Sequence, residues 1–275
     1  MKKILGVGLF VGIMAVTSVY AAIQVEVVGT GGNYANYGPY QTGVGGEFTF
    51  QSLGWNPTTS YAGSTMNQAA GAAIQPNFQS FCVEGREFIY PYPSTYDVVL
   101  NTKSEWSGFS LTAGAAWLYS QFSQGKLDNY NYTGGYSSSG GTTARAGGNN
   151  SSAALLQNAL WYFMGGQEGQ TYTTSNPFET LAVQQLGSLD AANAVAGANN
   201  FGVMVMNLWA PGTAIDPTTL NPVNTQTTGY QDMLVYVPNM NVSGGQPVPD
   251  GGTTAIMLGL GLSCLGLIRH RLGRN

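Results

Sequence analysis

The sequence predicts an α+β fold, a β-sandwich-like layer with a helical insert. Three observations predict it. Segments alternating apolar and polar residues at period two cluster near the two ends of the chain body. A central block instead shows helical spacing and helix-terminus residues. Stretches rich in Gly, Asn, Ser and Thr separate these segments.

The elements follow in order. Ile23 to Val28 and Gly46 to Phe50 alternate as short strands between Gly-rich turns. Residues 54–77 are a Gly-, Asn-, Pro- and Ser-rich loop. Phe78 to Tyr90 reads as a strand and bend, or a strand pair, around Cys82, ended by Pro91 and Pro93. Ser110 to Gln124 predicts the first helix, with Ser110 as N-cap and an apolar stripe of Leu111, Ala115, Leu118, Tyr119 and Phe122. Residues 128–152 form a long polar loop. Ala153 to Met164 is a second helix, closed by Gly165 and Gly166. Asn176 and Pro177 open a third, running to about Ala196, with Glu179 near its N-terminus. Phe201 to Trp209 and Gln231 to Val237 return to strand.

Composition excludes several function classes. Only 8% of the 275 residues are charged, while 43% are hydrophobic and 12% aromatic, enough for a buried core. One His and two Cys cannot build a zinc site from such ligands, and no metal or cofactor is expected. The single His270 sits near the C-terminus, which excludes a Ser–His–Asp mechanism in the body. Between Glu26 and Asp250 four basic residues face thirteen acidic ones, a formal charge of −9. Phosphate contacts need the opposite sign, so nucleic-acid binding is not expected. Glu84 and Glu87 could be imagined as a glycosidase pair, but their spacing does not select that chemistry.

The two ends read as addresses. Lys2 and Lys3 precede an apolar run from Ile4 to about Val16, with Val19 and Ala21 before a cut ahead of Ala22. That is the layout of a secretory signal peptide over residues 1–21. The exported body then spans 22–238, followed by a linker over 239–247. Val248, Pro249, Asp250, Gly251 and Gly252 precede an apolar stretch, Thr253 to Ile268, and an end carrying Arg269, Arg271 and Arg274. Such a stretch predicts a membrane helix with the basic end on the cytoplasmic side. The tail, residues 248–275, resembles the PEP-CTERM class of sorting signals, and its VPDSG variant most closely, with Gly251 where that pattern has Ser. The resemblance implies processing by an exosortase, a transient membrane anchor, and a mature protein at the cell surface or in the extracellular matrix.

Cys82 is the other residue that stands out. Cys264 lies in the tail helix, so the exported body holds one Cys and no internal disulfide. A buried inert thiol is the ordinary reading of such a residue. Gln157 sits on the second helix with Leu160 and Trp161 one turn after it and Ala153 and Ala154 one turn before. It therefore faces apolar surroundings, where an amide needs partners.

The segments Phe81-Cys82-Val83-Glu84 and Gln157-Asn158-Ala159-Leu160-Trp161 resemble the two motifs of thioester domains in bacterial surface adhesins. Leu156 precedes Gln157 where many of those adhesins have Thr. The resemblance implies an internal thioester between the Cys82 sulfur and the Gln157 side-chain carbonyl, walled by Phe81, Trp161 and Tyr162. Glu84 is a supporting proton carrier or a partner for Arg86. The implied function is covalent adhesion without turnover, by acylation of an amine or hydroxyl on a surface or matrix target. The alternative is a non-reactive structural protein of an exopolysaccharide matrix, sorted by the same exosortase.

Overall fold

The computed structural model describes residues 23–27, 46–53, 55, 77–89, 95–132, 150–166, 169–198, 200–213, 215–216, 221–223 and 229–238. The expected signal peptide, the linker, the sorting tail with its membrane helix, and most of the loops over 54–77 and 128–152 lie outside the described residues. Among the described residues no helix is long and apolar enough to cross a membrane.

Six strands form one antiparallel sheet. They are β1 (Ile23–Val27), β2 (Phe48–Leu53), β3 (Asn77–Ser80), β4 (Thr95–Asn101), β5 (Val203–Trp209) and β6 (Gly229–Tyr236). The spatial order is β3-β2-β1-β4-β5-β6. Between β4 and β5 the chain inserts α1 (Ala113–Ser123), α2 (Ser152–Met164), α3 (Pro177–Leu186) and α4 (Leu189–Asn193). The α+β class and the helical insert are both present. The sandwich-like layer is corrected to a single sheet among the described residues.

That sheet curls until its ends meet. β3 pairs with β2, yet the chain just after it bonds to β6 at the opposite edge. Val83 N donates to Asp232 O at 2.8 Å, and Leu234 N donates to Phe81 O at 3.1 Å. The Ser80 hydroxyl donates to Leu234 O at 2.5 Å. One continuous segment thus occupies both free edges, which removes unpaired strand surface. Side chains alternate across this curled sheet. Met204, Met206, Leu208, Met233 and Val235 join Val25, Phe50, Tyr96 and Cys82 on one face. Val203, Val205 and Leu234 face the helices with Phe81, Leu118, Leu156 and Phe163. The whole of β5 is buried, as expected of a strand covered on both faces.

Several elements differ from the sequence expectation, and the strand read over Phe78 to Tyr90 is β3 at Asn77–Ser80 followed by a single bridge at Cys82. The N-cap of α1 is Thr112, whose hydroxyl accepts from Ala115 N, and not Ser110. Ser110 pairs with Lys103 in a return to the end of β4, which takes it out of the helix. The third expected helix is two helices. Gly187 ends α3 in the left-handed region (φ 86°), and Ser188 caps α4. β4 was not expected as a strand. Its burial on both faces hides the period-two signal, and the buried Asp97 interrupts its apolar run. Asp97 is held by Gln24 Nε2 at 2.7 Å and Thr213 N at 2.9 Å.

The α2 C-terminus is seated directly on the segment that closes the sheet. Gly165 adopts φ 70°, as a C-terminal cap requires. Gly85 N then donates to Gly166 O at 2.7 Å. A Cβ on Gly166 would lie 1.9 Å from the Val83 carbonyl oxygen. Gly166→Ala should therefore destabilise the protein by about 3 kcal/mol. That predicts a fall in melting temperature of roughly 10 °C. A thermal melt within a degree or two of wild type would show that α2 does not need this close approach.

Candidate functional site

The site is built by Gln157 acting as a missing strand. Cys82 faces Met233 across a narrow antiparallel pair, flanked by the two ladder bonds from residues 81 and 83. In such a pair the N–H and C=O of Cys82 point away from β6. The Gln157 side chain meets them there. Cys82 N donates to Gln157 Oε1 at 3.0 Å, and Gln157 Nε2 donates to Cys82 O at 2.8 Å. On the far side Gly46 N donates to the same Oε1 at 2.7 Å. The amide thus spans the gap between Cys82 and Gly46, the latter lying just before β2.

Local sequence explains each placement. Ser151 caps α2 and fixes its start, and Leu156, Ala159 and Leu160 bury the helix around Gln157. Gln157 is 1% exposed and Cys82 is 3% exposed, so the two meet away from bulk solvent. Gly46 holds φ 111°, a conformation essentially confined to glycine, and this aims its N–H.

Burial pushes the Cys82 thiol far up, and the charge of Glu87 adds to the rise. The backbone N–H groups of Gly46 and Cys82 act in the opposite sense. The sequence motifs brought forward Cys82 and Gln157, and these meet. Gly46 was missed. Its only signal is a Gly just ahead of a strand, in a chain with 39 Gly.

The expected apolar wall is partly corrected. Cys82 and Trp161 share one cluster, whereas Phe81 turns to the helix side and packs edge-on against Phe122 at 5.0 Å. Adjacent strand residues point to opposite faces, so Phe81 and Cys82 cannot line the same side. Tyr162 faces Phe163 and Tyr172 and accepts from Asn193 Nδ2, away from Cys82.

Glu84 is 2% exposed, and its carboxylate accepts from Ser107 N and the Ser107 hydroxyl, both at 3.2 Å. It belongs to an acidic group with Glu87 and Asp232, whose nearest carboxylate oxygens all lie within 4.8 Å of one another. Asp232 accepts from Asn207 Nδ2 at 2.9 Å and Glu105 N at 2.5 Å. Glu87 accepts from Asp232 N at 3.2 Å. These are the residues that could hold a hard cation through oxygen ligands. Glu87, and not Glu84, is the acid whose charge acts on Cys82.

Burial raises Glu87 to about 7 against the stabilising Asp232 N–H, and the Glu84 and Glu105 charges add to the rise. Asp232 is raised by burial and then by Glu87. Glu87 ordinarily ionises near 4.5, so the folded chain holds more protons than the unfolded one between about 4.5 and 7. Stability should then fall as pH rises through that window, and Asp232 contributes with the same sign. In chelator-containing buffer the melting temperature should be lower at pH 8 than at pH 5. Glu87→Gln should recover a few degrees at pH 8, about 1 kcal/mol once solvent screening is allowed for. A flat wild-type profile would overturn this account of the acidic group.

Residues 247–272 match the VPDSG-CTERM motif. Neither curated proteins nor solved structures give a significant match to the chain. The match spans the Val248 to Gly252 motif, the apolar stretch and the basic residues through Arg271. The chain therefore carries a sorting signal of the PEP-CTERM type, which supports an exported, surface-associated protein processed by an exosortase.

Proposed function

We propose that this exported protein attaches covalently to a surface or matrix target through an internal thioester joining Cys82 to Gln157. The observation that carries the reading is that the Gln157 amide bonds to both backbone polar groups of Cys82, at 3.0 and 2.8 Å. Formation is an exchange within one chain. The Cys82 sulfur bonds to the Gln157 Cδ, the Cδ–Nε2 bond breaks, and the thiol proton leaves on nitrogen as ammonia. Holding sulfur and amide together supplies the effective molarity that such an exchange needs. Burial at Trp161 keeps water from the product. A target amine or hydroxyl then attacks the Gln157 carbonyl carbon, its proton passes to sulfur, and the Cys82 thiol is released. Each molecule reacts once, so the protein is spent and is not an enzyme. The sorting signal delivers this chemistry to the outside of the cell, anchored in the membrane until the exosortase acts.

A second reading has its own support. Three hydrogen bonds satisfy the Gln157 amide, and a buried Cys raised this far is unreactive as a free thiol. On that reading the pair is a polar staple in a passive exopolysaccharide-matrix protein.

Intact mass separates the two. The purified chain should be lighter by one ammonia and should gain one methylamine on incubation with that amine. Cys82→Ala and Gln157→Ala should show neither change. A wild-type chain of unreduced mass, with Cys82 fully alkylated on unfolding, leaves only the passive reading. Sorting is tested apart from the chemistry. Removing residues 248–275 should release the protein from the cell surface, and unchanged retention would remove the exosortase step.

A further inference from the structure

We propose that the backbone N–H groups of Gly46 and Cys82 form an oxyanion hole over the Gln157 carbonyl, activating it both for thioester formation and for transfer to the target. This rests on the thioester reading above and identifies the groups that would stabilise its transition states.

The donor arrangement argues for it. Two N–H groups from separate segments, residue 46 before β2 and residue 82 after β3, converge on one oxygen at 2.7 and 3.0 Å. That is the distance range in which paired donors stabilise a developing oxyanion. Both donors are backbone groups of paired segments, so they need no reorganisation as charge develops. The Gly46 donor is aimed by a φ of 111°, which side-chain-bearing residues rarely adopt. A buried Gln needing only satisfaction of its oxygen could use any residue type there. The nitrogen is oriented separately, by its bond to Cys82 O at 2.8 Å.

The electron movement is balanced by the groups present. When sulfur adds to Cδ, the carbonyl π pair moves to Oε1, which the two N–H groups already hold. The thiol proton goes to Nε2. The Oε1 pair then re-forms the carbonyl as the Cδ–Nε2 bond breaks and ammonia leaves. In the transfer step the target nucleophile adds to the same carbon, Oε1 again carries the charge, and sulfur leaves with the nucleophile's proton. The hole thus serves two reactions at one carbon.

The test uses the full chain purified in detergent. Infrared difference spectra of wild-type chains carrying glutamine labelled with carbon-13 at the side-chain carbonyl, recorded before and after methylamine capture, isolate the Gln157 thioester stretch as the band that capture removes. A frequency below that of a simple alkyl thioester in apolar solvent supports the hole, because two donors weaken the C=O bond. A frequency at or above that reference overturns it, even where intact mass shows the bond. Gly46→Ala, which cannot hold the required φ, should slow methylamine capture about 100-fold. Capture at the wild-type rate by a folded Gly46→Ala chain also overturns it. A wild-type chain that has lost no ammonia overturns the thioester reading itself, and the hole with it. Since the spectrum is read on the wild-type protein, the test does not depend on the variant folding.

Discussion

The fold around the site depends on one side-chain amide standing in for a peptide unit. Cys82 lies where a strand has left one sheet edge and joined the other, and its outward N–H and C=O have no strand to meet. Gln157 supplies the complementary donor and acceptor from α2. A third bond carries the connection on to Gly46. Losing the amide would leave three buried backbone groups without partners, each costing about 1–3 kcal/mol. The same three bonds lock α2 to the curled sheet and hold the Gln157 amide against the backbone of Cys82. Structural and chemical demands therefore fall on one residue.

How much of this was readable in the sequence depends on the range of the signal. The second and third helices were legible because their spacing and termini are local: Gly165 and the Asn176–Pro177 pair mark ends within a few residues, while the Ser151 cap falls within the expected loop over 128–152. The split at Gly187 was equally local but was overridden by the apolar run continuing to Ala196. β4 was hidden because burial on both faces removes alternation, and because Asp97 is satisfied by Gln24 and Thr213, far away in the chain. Sheet closure through residues 81–83 was not legible at all. It depends on a pairing with β6 some 150 residues later, and short sequence windows carry no trace of it.

The candidate site divides in the same way. Cys82 and Gln157 stand out as residue types, a lone thiol in the body and an amide within an apolar helix. Gly46 contributes only backbone and has no type to notice. Glu87 and Asp232 join Glu84 only after the strand carrying residues 81–83 has paired with β6. That pairing gathers acids from two distant segments, residues 84–87 and residue 232. Ser107, Asn207 and backbone N–H groups donate to it.

Burial of the sulfur and the amide together has a consequence for attachment. Gln157 and Cys82 are both shut away from bulk solvent, so on the proposed chemistry the stored bond would be sheltered from water until a target reaches it. The amide or ester then made at Gln157 would be covalent, keeping its hold under shear and dilution that would strip away a reversible ligand.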